Sequence, residues 1–153
     1  MHSPYAATFA PSAFTQMLIE IRQRQPLFHR GRFLTGAFNE DLEIKDVTWF
    51  DPAATEMDEG QWHDGHARCV QMLLDGRAQP TGIRQKGSDL TLLLMFNAHH
   101  DAVEFTFPEF SGRVWKLLVE TSDIARQHPH LEFGATHLLE GRSLALWEIR
   151  SMS

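Results

Sequence analysis

The chain has 153 residues, of which 42% are hydrophobic and 22% charged, with a formal net charge of −6; these are the proportions of one globular domain. The negative balance argues against a nucleic-acid partner, which needs a basic stripe, and no apolar run approaches the roughly 20 residues of a membrane helix. The single cysteine, Cys69, rules out an internal disulfide framework and fits a reducing compartment.

From the N-terminus, residues 1–12 hold two prolines and several small residues and read as a loose arm. They lack the charged and apolar regions of a secretory signal, so a cytoplasmic location is expected. Phe14, Met17, Leu18 and Ile21 then fall at i, i+3, i+4 and i+7, which predicts an amphipathic helix over residues 13–25. Ser12 is placed to cap it and Pro26 to stop it.

Beyond Gly36 the punctuation is that of a β protein. Strands are expected at residues 47–50, 68–74, 90–96, 103–107, 114–120, 136–139 and 143–149, separated by turn signals. Residues 51–66, DPAATEMDEGQWHDGH, are acidic and turn-rich and predict a long loop or irregular excursion. Residues 90–96, LTLLLMF, are apolar at nearly every position, the pattern of a strand buried on both faces. Asn97-Ala98-His99-His100-Asp101 interrupts the run with residues that tolerate turn geometry. Val103, Phe105 and Phe107 then alternate with Glu104 and Thr106, a strand with one wet face. The simplest pairing is a central hairpin of 90–96 with 103–107, and a final hairpin of 136–139 with 143–149 around Glu140-Gly141. Residues 79–88 form a polar loop, and 123–134 an irregular connection carrying His128-Pro129-His130. Seven or eight short strands with such turns suit an antiparallel sandwich.

The chemistry-bearing residues form no recognisable catalytic constellation. There is no Gly-x-Ser-x-Gly nucleophile turn and no glycine-rich phosphate loop. Cys69 sits in an apolar run, as a structural thiol does. Nine histidines raise the question of a metal, but His63 and His66 lie beside Gly65 in a loop. His99 and His100, if extended, would point to opposite faces and could not share an ion. No metal centre and no cofactor are expected, since zinc normally takes three or four ligands at recognisable spacing. The carboxylates Asp51, Glu56, Asp58, Glu59 and Asp64 lie on a loop without the rigid frame a glycosidase pair needs, so solvation explains them. Of the four tryptophans, Trp115 and Trp147 fall within strands and belong in the core. Trp49 and Trp62 border the acidic loop and are the candidates for sugar-stacking platforms.

Read in order, several blocks carry a family resemblance. They are Arg22-Gln23-Arg24-Gln25-Pro26-Leu27-Phe28, Arg30-Gly31-Arg32-Phe33-Leu34-Thr35-Gly36, Asp46-Val47-Thr48-Trp49-Phe50, Glu56-Met57, Trp62 and Ala67-Arg68. The run from Leu90 to Val103 with Phe96-Asn97-Ala98-His99-His100 at its heart follows, then Leu139-Glu140-Gly141-Arg142-Ser143-Leu144. From about residue 13 onward the series resembles the C-terminal region of bacterial glycogen debranching enzymes of the isoamylase type, in the α-amylase superfamily. Two departures stand out. Pro52-Ala53-Ala54 replaces the family's usual Pro-Asp-Gly, and Gln61 stands where an aspartate usually precedes the tryptophan.

The resemblance implies a mainly β fold: an antiparallel β-sandwich of the α-amylase C-terminal-domain type, preceded by one amphipathic helix. Residues 1–12 would be a flexible arm, 13–26 would correspond to the last helix of a catalytic (β/α)₈ barrel, and 27–153 to the sandwich. The catalytic aspartates and glutamate of such enzymes belong to the barrel, so no catalytic residue carries over. The implied role is an accessory domain that stabilises a barrel, in cis or in trans, and helps seat glycogen or a maltooligosaccharide. The alternative is a free-standing glucan-binding or regulatory protein, suggested by Met1 together with Trp49 and Trp62. Asn97, His99 and His100 would hold a turn or an interface. The apolar stripe of the helix, left without its barrel, predicts a homodimer.

Overall fold

A computed structural model describes residues 11–29, 33–41, 43–78, 91–109, 113–124, 131–132 and 134–151. The chain divides after Phe33 into two compact units. The 79–88 loop, the His128-Pro129-His130 connection and most of the N-terminal arm lie outside the described residues.

The first unit is built on one helix, α1, over Pro11–Arg24. Proline is at home in a first turn, where its missing N–H would have had no helical partner. The helix therefore starts two residues before the expected position, and Ser12 lies inside it rather than capping it. Arg22 and Arg24 occupy the last turn, where cations complement the helix dipole. Pro26 ends the helix as expected, and a 3₁₀ turn follows over Pro26–Phe28. His29 Nε2–H donates to the Arg22 carbonyl at 2.7 Å and closes the end. Phe14, Met17 and Ile21 are half-buried and Leu18 is exposed; no residue of α1 is buried.

The second unit is antiparallel β structure. Its strands are β1 (Phe38–Asn39), β2 (Ile44–Lys45), β3 (Val47–Phe50), β4 (Cys69–Asp75), β5 (Thr91–Asn97), β6 (Val103–Thr106), β7 (Arg113–Glu120), β8 (Leu131–Glu132), β9 (Thr136–Leu139) and β10 (Ser143–Ser151). Six of them form one sheet in the order β3-β4-β5-β10-β7-β8, β6 and β9 form a second, and β1 and β2 a short ribbon. The seven expected strands are all present to within two residues. Three further strands are present, β1, β2 and β8, the last within the stretch expected to be irregular; each has two residues, too few to carry a periodicity.

Register explains the core. Leu73 stands opposite Leu93 and Leu93 opposite Trp147; in the next row on the same face Gln71, Met95 and Ala145 are aligned. Phe105 from β6, Phe107 just after it and Leu139 from β9 pack onto that face with Trp115 and Ile149. Phe107 lies edge-on to Trp147 at 4.9 Å and stacks on Trp115 at 5.9 Å. Each fully buried large side chain contributes roughly 1.5–3 kcal/mol, so this aromatic group is a main source of stability. Leu92 and Leu93 point to opposite faces and both are buried, while Leu94 and Phe96 are half-buried. Trp115 and Trp147 are in the core as their strand positions implied. Glu120 on β7 and His137 on β9 are both buried and hydrogen-bond at 2.9 Å, with the His137 ring against Trp147.

The pairing differs from the two expected hairpins. β5 pairs with β4 and β10, whereas β6 pairs with β9; β9 and β10 do not pair with each other. β5–β6 and β9–β10 are instead the two strands of one long antiparallel ribbon, bent so that each passes from one sheet to the other. The polar residues at 97–101 and 140–142 break the strands without reversing them. Sequence periodicity cannot distinguish such a bend from a tight reversal, because both interrupt the alternation at the same place.

Candidate functional site

The bend itself is fastened by Asn97. Its Oδ1 accepts the His99 N–H at 2.9 Å, the local bond that asparagine forms in turns. The same oxygen accepts the Cys69 thiol at 3.3 Å. The Nδ2 hydrogens are shared among the carbonyls of Asp101, Leu139 and Glu140, at 3.0, 3.0 and 3.1 Å. One buried amide thus ties its own turn to the other strand of the ribbon and to β4. Two main-chain bonds of 2.9 Å complete the joint, from Ala98 N–H to Arg68 O and from Arg142 N–H to His99 O. Gly141 lies flat against this turn: a Cβ there would stand 2.2 Å from the His100 carbonyl oxygen. Only glycine fits. Two of the blocks that carry the family resemblance, around Asn97 and Gly141, are therefore the two halves of a single joint.

His99 and His100 are not splayed to opposite faces, as expected for an extended segment. The chain turns here, and the rings stack with centroids 4.2 Å apart. With Asp101 they bring their ligand atoms within 4.8 Å of one another. His99 Nδ1, however, accepts the Asp101 N–H at 3.0 Å, and His100 Nε2 lies 3.1 Å from the Asp101 carboxylate. The Nδ1 lone pair is engaged by the backbone, so a neutral His99 carries its proton on Nε2. The trio is arranged as a turn network.

The acidic excursion forms the opposite wall. It opens with Asp51, whose N–H donates to Thr55 O at 2.8 Å and whose Oδ1 accepts the Thr55 N–H at 2.9 Å. Ala54 closes this turn at φ +63°, the left-handed region that costs a residue with a Cβ about 1 kcal/mol or more. Ala54 thus adopts, at the position of the family's usual glycine, a backbone conformation that favours glycine. A one-turn helix, α2 (Glu59–Trp62), interrupts what reads as a loop. Asp58 and Gln61 cap it reciprocally: Gln61 N–H donates to Asp58 Oδ1 at 2.8 Å, and Asp58 N–H donates to Gln61 Oε1 at 3.0 Å. Gln61 Nε2 also reaches Asp51 Oδ2 at 3.1 Å. An aspartate in place of Gln61 is too short for both contacts and has no amide N–H to donate to Asp51.

The excursion is anchored to the sandwich from below. Buried Gln71 donates through Nε2 to Asp51 O at 3.0 Å and to Thr106 O at 2.9 Å. Thr106 N–H donates to Pro52 O at 2.8 Å. Between excursion and bend lies a cleft of about 520 Å³, with Gln61, Asp64 and Arg68 on one side and His99, Asp101 and Val103 on the other. Cys69 lies at its base, and burial pushes its thiol above the ordinary cysteine range, partly opposed by the His99 N–H. A thiol held protonated is a poor nucleophile.

Trp49 and Trp62 are not among the residues that line the cleft; their ring centroids lie 5.4 Å apart in an edge-to-face arrangement. Trp62 is 51% exposed and Trp49 half-buried. The sequence placed both beside the acidic loop; that they touch follows from α2 folding back over β3, which composition did not reveal. The cleft itself was not foreseen either, because its walls come from segments more than thirty residues apart.

Residues 46–152 match the family described as the isoamylase C-terminal domain. The chain belongs to that family. It is also 32% identical over 115 residues to proteins named glycogen operon protein GlgX homolog from Mycobacterium bovis and from two strains of Mycobacterium tuberculosis. The match covers 72% of this chain and 16% of each relative, so this isoamylase C-terminal domain corresponds to a small part of those longer proteins. Among the described residues no helix is long and apolar enough to cross a membrane.

Proposed function

We propose that this chain is the non-catalytic accessory domain of a glycogen-debranching activity, steadying a separate catalytic barrel that hydrolyses α-1,6 branches and helping to seat the glucan. The observation that carries this reading is the match of residues 46–152 to an isoamylase C-terminal domain, with relatives about six times longer than the matched segment. The test is to truncate a GlgX-type enzyme of its own C-terminal region and add this chain. Co-elution with the truncated enzyme and recovery of branch hydrolysis are expected; no complex and no recovered activity would overturn the reading.

A second reading, a glucan-binding protein working without a barrel, is favoured by the Trp49–Trp62 pair. An exposed indole held by another ring offers a rigid face for a sugar. Titration calorimetry with glycogen decides it, and a flat titration removes it. In either case the half-buried stripe of Phe14, Met17 and Ile21, with Leu18 exposed beside it, pairs two copies of the chain at high concentration. Light scattering reads this directly, and a strict monomer would refute it.

A further inference from the structure

We propose that the cleft between the acidic excursion and the β5–β6 bend is a binding site for a neutral oligosaccharide, a short stretch of α-glucan. The inference rests on the glucan reading above and moves the contact from the Trp49–Trp62 pair to a different place. A volume of about 520 Å³ lies in the range of small-ligand sites. Its lining suits vicinal hydroxyls, each both donor and acceptor, which pair best with planar side chains carrying two adjacent polar atoms. Asp64, Arg68, Asp101 and Gln61 are such groups, and Met57 and Val103 supply apolar surface for the C–H face of a sugar ring.

The hydrogen bonds assign these groups different tasks. Asp51 commits one oxygen to the Thr55 N–H and the other to Gln61, so it positions Gln61. Asp64 uses Oδ1 for the His66 N–H at 2.9 Å and keeps Oδ2 for a ligand. Arg68 and Asp64 are both exposed, Arg68 without a carboxylate partner among the described residues. His99, with Nδ1 taken by the Asp101 N–H, presents Nε2–H as a donor.

Charge narrows the ligand class. Three carboxylates, Asp51, Asp64 and Asp101, face one guanidinium, that of Arg68. A phosphorylated or sulfated sugar is repelled by this excess, whereas an uncharged polyol is not. The walls are also fixed before any ligand arrives, one by Asn97 and the other by Gln71 bridging Asp51 and Thr106, so little ordering opposes binding.

The test uses the whole chain with maltoheptaose in titration calorimetry, with glucose 6-phosphate as the charged control. Arg68→Ala and Asp64→Asn should each weaken maltoheptaose binding by roughly tenfold without moving the melting temperature, since both side chains are exposed. Trp62→Ala should leave affinity within about twofold, and glucose 6-phosphate should give no heat. No heat with the unaltered chain, or affinity kept in the two cleft variants but lost in Trp62→Ala, would overturn the proposal. The accessory-domain reading is separated by running the truncated-enzyme assay on the same proteins. Recovered hydrolysis without maltoheptaose binding sinks the cleft alone; cleft binding without recovered hydrolysis sinks the accessory role alone.

Discussion

The two walls of the cleft are built on opposite principles. The bend at 97–101 and 139–142 spends its polar atoms on itself: Asn97 reaches five partners and Gly141 leaves no room for a side chain. The excursion at 51–68 fixes its backbone with a few side-chain bonds and leaves Asp64, His66, Arg68 and Trp62 exposed to solvent. The contrast separates scaffold from surface. A polar group enclosed by protein must be satisfied internally, whereas a wall open to water can hold polar groups in reserve for a ligand.

Substitutions in the two walls should therefore differ in kind. Gly141→Ala brings a Cβ into the His100 main chain, and neither backbone can yield, so a loss of more than about 3 kcal/mol is expected. Chemical denaturation measures it, and a melting curve like that of the unaltered chain would disprove the joint. Asn97→Ala strands several buried main-chain groups at once and should cost about 2–4 kcal/mol; Asn97→Asp should also be destabilising, because it removes the donors that the Leu139 and Glu140 carbonyls use. In the other wall the sign reverses. Ala54→Gly relieves a left-handed residue at φ +63° and should add about 0.5–1 kcal/mol. A loss on that substitution would mean that unfolded-chain entropy outweighs the strain.

The smallest effect concerns acidity at the base of the cleft. Because burial raises the Cys69 thiol, the unfolded chain gives up its proton first as pH rises. Stability should be unaffected by this group below about pH 8 and should fall as pH climbs from the ordinary thiol range of about 8.5 toward the raised folded value. Cys69→Ser should flatten that alkaline decline, and alkylation of the native chain should lag behind that of a free thiol.

Much of this is legible in the sequence alone. The alternation of Val103, Phe105 and Phe107, the paired faces of β5 and the tryptophans of β7 and β10 follow from period-two patterning. The order of the blocks pointed to the family. What stayed hidden were relations between distant segments. Residues 97 and 139 carry no mutual signal in one sequence, so the bend was read as two hairpins. The sequence places the two histidines on opposite faces only for an extended backbone, and here the chain turns. Capping by Asp58 and Gln61 is a local pattern and could have been found, since aspartate followed three residues later by glutamine is its signature.

The folded ribbon has a kinetic consequence. β5 and β10 lie side by side in the large sheet, and their continuations β6 and β9 do the same in the small one. The bend joins partners about forty residues apart in sequence. Closing it early carries the full loop entropy before any packing rewards it, and a topology so rich in distant pairings belongs among the slower folders. Once the bend is closed, neither sheet can open without disturbing the other. Hydrogen exchange in β5, β6, β9 and β10 should therefore report a single cooperative opening, with matching protection on both sides of the joint.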